Sequence, residues 1–389
     1  MTRLKGVAAA AALVVGVGLA PAAEAQIAVS ANDNKVVNVN GTVKVVPNPP
    51  PDTVAIIDLN ASPPRVIAEV QAPNSVVGPP LSVAITPDES LALVTASNKV
   101  DPSDPTKQVP DNRLSVIDLK ASPPRVIATL EAGKAAAGIA INRQGTLALV
   151  SNIVDGTVSV FAIQGKRVTP VGTVEVGGEK AGGGMVAITP DGKTALVSRS
   201  NDNRISILSI DGTKVEYTKR DMIAGVRPIV LDIVSSGDFA VVGSLAGSAT
   251  GDNDSVSLID LTAKPPRVVD TIGVLGSTAE GLKISPDGSV VAVVVQNGSN
   301  RAKESPFYND AGKLVMVRVT GKTLSRVAEA PIGHWPQGAV FSTDGKTILV
   351  GNMVEKDYWV FEWNGSRLRA TGQRVKMNGG PVAIRTADK

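Results

Sequence analysis

The sequence has 389 residues, of which 43% are hydrophobic, 19% charged and 3% aromatic, with a single histidine and no cysteine. The hydrophobic share is ample for a packed core, and the charged share is too low for a disordered chain. The missing cysteine excludes disulfides, thiolate nucleophiles, iron–sulfur clusters and cysteine-bound zinc. A site with three histidine ligands is excluded too, and we predict no cofactor and no metal site.

The N-terminus has the layout of a secretory signal peptide. Arg3 and Lys5 precede a small, apolar run over residues 6–20, Pro21 breaks that run, and a small-x-small cleavage site ends at Ala25. The run is too short and glycine-rich for a comfortable membrane span, although an uncleaved anchor is the alternative. We therefore expect a signal peptide over residues 1–25 and a mature chain, 26–389, that is exported to the periplasm or secreted.

The charge of the mature chain gives no reason to expect a nucleic acid partner. Removal of Arg3, Lys5 and Glu24 lowers the formal net charge from +3 to +2, and the remaining lysines and arginines are scattered among acids. No later segment has membrane-spanning length. We expect a monomer with no nucleic acid partner and no membrane span after signal removal.

A turn between two apolar strands recurs roughly every fifty residues, which indicates a repeat architecture. Its fullest form is Ile-Thr-Pro-Asp-Gly, in which proline presets φ, aspartate caps the turn and glycine accepts positive φ. The copies occupy residues 85–88, 141–145, 188–192, 234–238, 284–288, 341–345 and 384–388.

Each repeat continues with three further short β runs, the last following a Pro-Pro-Arg segment in three copies. Four antiparallel strands per repeat and no helical period predict an all-β, seven-bladed β-propeller, as a single domain over 26–389. Six complete blades begin near Val77, Lys134, Glu179, Val226, Ser277 and His334. The seventh would join a first strand at 381–386 to N-terminal strands at 27–30, 53–59 and 65–70, which closes the ring and removes exposed sheet edges.

The repeats resemble the YVTN repeat, most closely at residues 188–198 with 202–207 and at 145–152 with 156–160. The resemblance spans essentially all of the mature chain and implies the seven-bladed YVTN/lactonase-like propeller superfamily, whose members are often secreted. The Tyr-Val-Thr-Asn core is nowhere literal. WD40 pairs do not recur, and only Trp335, Trp359 and Trp363 are present, which disfavours the tryptophan-docked quinoprotein propellers.

Polar residues are unevenly distributed where the channel of such a propeller should open. We call this end the loop mouth, because the loops before the first strands and those joining second to third strands both reach it. One residue per blade aligns there: Leu81, Ala137, Gly184, Ile229, Glu280, Gln337 and Gly380. Polarity is concentrated on three consecutive blades, where Arg227 precedes Ile229, and His334 and Trp335 precede Gln337.

The second-to-third-strand loop at 297–312 should reach the same mouth, and it carries Arg301, Glu304 and Tyr308. Arginines there would bind a carboxylate or phosphate, and Trp335 or Tyr308 would stack on a ring. The predicted ligand site comprises Arg199, Arg227, Glu280, Arg301, Glu304, Tyr308, His334, Trp335 and Gln337.

Structural interpretations of the same residues stay open. His334 could be a satisfied loop residue, Glu280 and Arg227 could pair across adjacent blades, and the charges of 297–312 could simply be solvated. The aspartates of 251–254 could bind calcium, but a capped turn explains them as well.

Two classes of function follow from these observations. The first is a non-catalytic binding module for a small molecule, a glycan or another periplasmic protein at the loop mouth. The alternative, implied by the resemblance, is a lactonase-like hydrolase with His334 or Glu280 as the base and with Arg227 and Arg199 stabilising the oxyanion. Convergence of Arg227, Glu280 and His334 on one ligand would favour the enzyme, whereas a channel plugged by Leu81 and Ile229 would disfavour it.

Overall fold

The computed structural model describes residues 26–78, 80–246, 254–273 and 276–389. The predicted signal peptide and residues 251–253 of the candidate calcium turn lie outside these ranges. The strands are β1 (Ile27–Asp33), β2 (Val36–Val39), β3 (Thr42–Val45), β4 (Thr53–Asp58), β5 (Arg65–Gln71), β6 (Val83–Ile85), β7 (Leu91–Thr95), β8 (Asn98–Val100), β9 (Gln108–Pro110), β10 (Arg113–Asp118), β11 (Arg125–Glu131), β12 (Ala136–Ile141), β13 (Leu147–Asn152), β14 (Thr157–Gln164), β15 (Arg167–Glu175), β16 (Gly183–Ile188), β17 (Thr194–Arg199), β18 (Arg204–Asp211), β19 (Lys214–Met222), β20 (Pro228–Ile233), β21 (Phe239–Ser244), β22 (Ser255–Asp260), β23 (Arg267–Ile272), β24 (Ala279–Ile284), β25 (Val290–Val295), β26 (Gly312–Thr320), β27 (Thr323–Ile332), β28 (Pro336–Phe341), β29 (Thr347–Asn352), β30 (Asp357–Trp363), β31 (Leu368–Lys376) and β32 (Gly380–Thr386).

These strands form seven four-stranded antiparallel sheets, which confirms the predicted propeller. Blade one is β6, β7, β10 and β11. Blades two to six are β12–β15, β16–β19, β20–β23, β24–β27 and β28–β31, and blade seven is β32, β1, β4 and β5. The first strand of each blade contacts the first strands of its two neighbours, so these strands surround the central channel. Within the described ranges, no helix has the length and hydropathy needed to cross a membrane.

The ring closes by pairing the two ends of the chain, as predicted. Strand β1 lies between β32 and β4, with Ser30 opposite Ile384 on one side and Ala55 on the other. Because β32 is the first strand of blade seven and β1 the second, neither terminus leaves an unpaired inner edge.

The second strands are the most deeply buried elements, because a neighbouring blade covers each of their faces. Every residue of β25 (Val290–Val295) is buried, and β7 (Leu91–Thr95) is buried over its whole length. This explains why these strands are continuous apolar runs rather than alternating ones. Valine, isoleucine, leucine and alanine fill most of the space between blades in this aromatic-poor chain.

The first-to-second-strand turns have the predicted positive-φ glycine in five blades, and the full Pro-Asp-Gly sequence in blades three and five. In blade three, the amide of Gly192 donates to the carbonyl of Thr189 at 2.8 Å, and the Asp191 carboxylate accepts from the Lys193 amide at 3.0 Å. Glycine takes a positive φ at this turn position in blades two to six, whereas blade one has Glu89 there with φ of 54°.

Two hairpins are present that the sequence did not predict. β2–β3 is inserted between the second and third strands of blade seven, and β8–β9 occupies the same position in blade one. Both therefore project from the loop-mouth side of the propeller.

The hydroxyl of Tyr358 in blade six lies 2.8 Å from the Ser30 hydroxyl in blade seven, and both residues are fully buried. We expect Tyr358→Phe to lower the free energy of unfolding by about 1–2 kcal/mol, because a buried hydrogen bond is lost. Chemical denaturation of Tyr358→Phe, Ser30→Ala and the double variant should reveal coupling between the two sites. Strictly additive losses of stability in the double variant would contradict this coupling. Tyr308→Phe, in an outer loop, serves as the control.

Candidate functional site

The first strands of blades two to seven contain a β-bulge near the loop mouth, and two of these bulges contain predicted site residues. In blade five, Ala279 pairs with Val295 and Gly281 with Val294, so Glu280 is left without a partner across the sheet. Gln337 lies in the equivalent bulge of blade six. Because a bulge bends its strand and re-aims the extra side chain, these positions differ from regular strand positions.

Glu280 is a buried acid with an unusually high affinity for its proton. It is 9% exposed, and within the described part of the chain no hydrogen bond reaches its carboxyl. Burial and, to a smaller extent, the nearby Asp254 carboxylate raise the pKa of Glu280 to about 7, against the lowering effect of the Arg227 guanidinium. Glu280 and Arg227 do not form a direct ion pair within 4.0 Å.

Asp254, just before β22, is the acidic neighbour of Glu280. It is fully buried; one carboxylate oxygen accepts from the Ala279 amide at 2.6 Å, and the other has no hydrogen-bond partner among the described residues. Burial raises the pKa of Asp254 to about 7. Hydrogen bonds from backbone amides and the positive charges of Arg227 and Arg301 act in the opposite direction. The sequence predicted only a capped or calcium-binding turn at Asp254, and the contact of this residue with the next blade was not predicted.

Gln337 is the most strongly unsatisfied polar side chain near this group. It is 1% exposed, and both its amide nitrogen and its amide oxygen lack partners among the described residues. A Cβ on Gly281 would collide with the carbonyl oxygen of Gln337, so the bulges of blades five and six are in direct contact. We call Asp254, Glu280 and Gln337, with Arg227 and Arg301, the carboxyl cluster.

His334 belongs to a different group. Its Nδ1 lies 2.6 Å from a Glu355 oxygen, and its Nε2 lies 3.6 Å from an Asp310 oxygen. The Tyr308 hydroxyl also donates to Asp310, at 2.8 Å. Glu355, which the sequence analysis did not single out, also accepts the His334 backbone amide and thereby fixes the loop before β28. The structure thus joins His334 to Tyr308 through Asp310.

Trp335 is largely covered, with 7% of its surface exposed. It packs in one apolar cluster with Val36 and Met353, and its amide donates to the Ser299 hydroxyl at 3.2 Å. Little of its ring is therefore presented to the solvent.

Hairpin β2–β3 crosses blade six and holds the 297–312 loop of blade five. The Asn40 amide nitrogen donates to Glu304 at 2.9 Å, and the Asn38 amide nitrogen donates to the Asn300 carbonyl at 2.7 Å. Arg301 lies over the Phe307 ring, 5.3 Å from its centre. The contact engages Glu304 and fixes the loop that carries Arg301.

Arg199 lies in an ion network within blade three. Its guanidinium contacts Asp202 and lies 3.5 Å from Asp221, and it also donates to the Tyr217 hydroxyl at 3.2 Å. The structure does not bring Arg199 together with the carboxyl cluster.

The channel is narrowed between its two ends on the side of blade one. Leu81 is buried and packs in one cluster with Met185 and Val230, and its carbonyl accepts from the Ile139 amide at 3.1 Å. On the other side, the Pro80 carbonyl lies close to Gly338 of blade six. Residues 80–81 of blade one therefore reach blades two and six and share an apolar cluster with blades three and four, which narrows the channel between the two mouths.

Among the described residues, no group of three or more histidines, aspartates and glutamates is arranged to hold a metal ion. The carboxyl cluster can exchange protons near neutral pH and can offer an amide and two guanidinium groups to a ligand.

Known structures share the fold. The chain is similar to a functionally unknown protein from Desulfotomaculum acetoxidans DSM 771 (15% identity, TM-score 0.65, covering 93% of this chain and 99% of that one). It is similar to a proposed 6-phosphogluconolactonase from Bacteroides fragilis NCTC 9343 (15%, TM-score 0.68, 94% and 98%). It is also similar to the periplasmic gluconolactonase of Pseudomonas aeruginosa (17%, TM-score 0.66, 92% and 99%). No protein-family model matches the chain, and no curated protein matches it.

The raised pKa of Glu280 makes stability depend on pH. Because the folded protein binds this proton more tightly than the unfolded chain, the free energy of unfolding should fall as pH rises through the interval from the ordinary value of 4.5 to about 7. In chemical denaturation between about pH 5 and about pH 8, Glu280→Gln should reduce this fall by up to roughly 3 kcal/mol. The exposed Glu362→Gln should behave like wild type. An equal fall in wild type and Glu280→Gln would contradict the assignment.

Proposed function

We propose that this protein binds a small polar molecule at the loop mouth, through the carboxyl cluster. The observation that carries the proposal is the buried Gln337 side chain, whose amide nitrogen and oxygen both lack partners among the described residues. Leaving such a group unpaired costs about 1–3 kcal/mol, so a ligand that supplies both a donor and an acceptor gains affinity there.

The remaining groups indicate what such a ligand would carry. Arg227 is exposed and Arg301 is partly buried, and both act electrostatically on Asp254. A carboxylate or phosphate would pair with these guanidinium groups, while hydroxyls would donate to Glu280 and accept from Gln337. This chemistry suits a sugar acid or a similar hydroxylated anion.

A second candidate, lactone hydrolysis, is favoured by the near-neutral pKa of Glu280. The Glu280 carboxylate would take a proton from a water molecule while the water oxygen attacks the lactone carbonyl carbon. Arg227 would stabilise the oxyanion that forms. Collapse of the tetrahedral intermediate breaks the ring C–O bond, and protonated Glu280 returns the proton to the leaving ring oxygen. The products are a hydroxyl and a carboxylic acid, which ionises at neutral pH.

Two features rank the hydrolase second. His334 is bound to Glu355, in a group apart from Glu280, so the convergence expected of the catalytic set is incomplete. Leu81 also narrows the channel beyond the mouth. Two of the structural neighbours are named as lactonases, which supports the hydrolase at the level of the fold.

One experiment tests both candidates with the same variants. Gluconate binding is measured by calorimetry and glucono-1,5-lactone hydrolysis by proton release, for wild type, Gln337→Leu, Arg227→Gln and Glu280→Gln. If the protein only binds its ligand, the affinity for gluconate should fall at least about tenfold in Gln337→Leu and in Arg227→Gln. If the protein is also a hydrolase, Glu280→Gln should lower kcat by about 10²-fold or more with a smaller effect on binding.

Arg369→Gln and Glu362→Gln, which remove an exposed charge from the outer strands of blade six, are the matched controls. Full affinity for gluconate in both Gln337→Leu and Arg227→Gln would contradict the proposed site. Hydrolysis that continues at the wild-type rate in Glu280→Gln would remove the hydrolase.

We also infer that the repeat belongs to the YVTN type and that residues 1–25 direct export to the periplasm. The tripartite N-terminal sequence supports export, and so does the similarity to a periplasmic gluconolactonase. Protein from the periplasmic fraction should begin at Gln26, and Ala25→Arg should leave an uncleaved precursor. An unprocessed N-terminus on cytosolic wild-type protein would contradict export.

Relatives that lack the Asp-Gly turn and its following apolar strand would contradict the repeat type.

A further inference from the structure

A cavity lies at the opposite end of the channel from the carboxyl cluster. We call this end the turn mouth, because the first-to-second-strand turns and the C-terminal residues 387–389 surround it. The cavity has a volume of about 220 Å³, more than the roughly 150 Å³ that suffices to admit benzene in an engineered protein cavity. Its inner wall is mainly apolar, with Val83, Ile139, Met185 and Ile284 among the side chains.

Cationic side chains stand at the rim of this apolar cavity. Lys283 is 12% exposed, and its Nζ lies 3.1 Å from Asp232 and 3.2 Å from Asp388. Asp232 is buried and also accepts the Ile284 amide at 3.0 Å, so it is a fixed part of the wall. Asp388 belongs to the C-terminal segment and is 60% exposed.

Arg385 supplies an unused donor. It is 6% exposed, one of its terminal nitrogens has no hydrogen-bond partner among the described residues, and the nearest carboxylate oxygen, of Asp232, lies 3.9 Å from that nitrogen. A buried guanidinium in this state is set up for a carboxylate, to which arginine binds with good geometry.

Glu89, at the rim of the cavity, replaces the glycine that the repeat has at this turn position, and turn formation does not explain the replacement. It takes the position that glycine occupies in blades two to six, with φ of 54°, and its buried carboxylate lies 3.1 Å from Lys389 Nζ. A non-glycine residue is sterically disfavoured in this conformation, and such strain clusters at functional sites. Glu89 thus anchors the C-terminal segment across the mouth.

Cationic side chains outnumber carboxylates at the rim. The cavity is lined by four of them, Arg143, Lys283, Arg385 and Lys389, and by only three acidic side chains, those of Glu89, Asp232 and Asp388. We propose that the turn mouth is a binding site for a small organic carboxylate with an apolar body, and that the Asp388 side chain occupies the carboxylate position in the free protein. The apolar body would fill the space against Ile139 and Met185, and the ligand would displace an exposed, weakly held side chain.

Benzoate and its neutral isostere benzamide are suitable probes, measured by calorimetry on the full mature chain. Benzoate should bind one site, at least about tenfold more tightly than benzamide. Asp388→Asn should tighten benzoate binding by about three- to fivefold, because the competing carboxylate is removed. Arg385→Gln and Arg143→Gln should each weaken benzoate binding by severalfold or more.

Lys193→Gln removes an exposed cation from a turn on the same face, outside the cavity, and should leave benzoate affinity unchanged. Because Arg143 is only partly buried, its variant remains informative if Arg385→Gln fails to fold. Equal binding of benzoate and benzamide, no gain in Asp388→Asn, or no detectable benzoate binding at about 10 mM would each overturn the proposal. Glu280→Gln should not change benzoate affinity, which separates this site from the one at the loop mouth.

Discussion

Closure of the ring is the constraint on which the rest of this structure depends. Each blade buries its faces only against its neighbours, so the second strands can be fully apolar only if no blade stands at an open end. The chain meets this requirement by placing β1 between β32 and β4, and the Tyr358 and Ser30 hydroxyls meet inside the resulting boundary between blades six and seven. Because closure fixes the first strands around one axis, it also fixes which side chains can meet at either mouth.

The two mouths use the same inner strands for different chemistry. At the loop mouth, Glu280 and Gln337 are buried at bulges, and the Gln337 amide and one Asp254 carboxylate oxygen lack hydrogen-bond partners among the described residues. At the turn mouth, regular pairing continues to the strand ends, and charged side chains of the last residues meet around an apolar space. Leu81 narrows the channel between the two, since it packs against Met185 between them. A ligand at one end therefore need not affect the other through direct contact.

Much of the fold could be predicted because it rests on local patterns that repeat. The Pro-Asp-Gly turn or a relative of it recurs from blade to blade with an apolar run next to it, and the unmatched strands at the two ends indicate closure. The hairpins β2–β3 and β8–β9 could not be predicted in this way, since each occurs outside the repeat. The proline-rich tract at 47–51 is typical of an extended surface linker, and the structure shows that the hairpin before it reaches across to the loop of blade five.

The sequence predicted where the candidate site residues lie along the chain, but not which of them contact one another. Aligning the turns brought attention to Glu280, Gln337 and His334, because all three fall near the starts of first strands. Whether such side chains meet depends on contacts between blades, and those have no fixed spacing in sequence. Asp254 of the preceding blade binds the Ala279 amide, next to Glu280, whereas Glu355 holds His334 within its own blade.

Glu89 shows how departures from a repeat can be used. At the other five turns glycine accepts positive φ at no steric cost, so the repeat alone predicts glycine there. A glutamate that adopts the same backbone conformation is disfavoured locally, and its carboxylate is buried at 5% exposure rather than solvated. Both costs must be offset by interactions elsewhere, and the contact available is the ammonium of Lys389 at the far end of the chain. The same reasoning applies to Glu280, an acid at a position where blades one to four have apolar residues or glycine. In both cases the residue that breaks the pattern lies at a channel mouth, where burial changes what a carboxyl group can do.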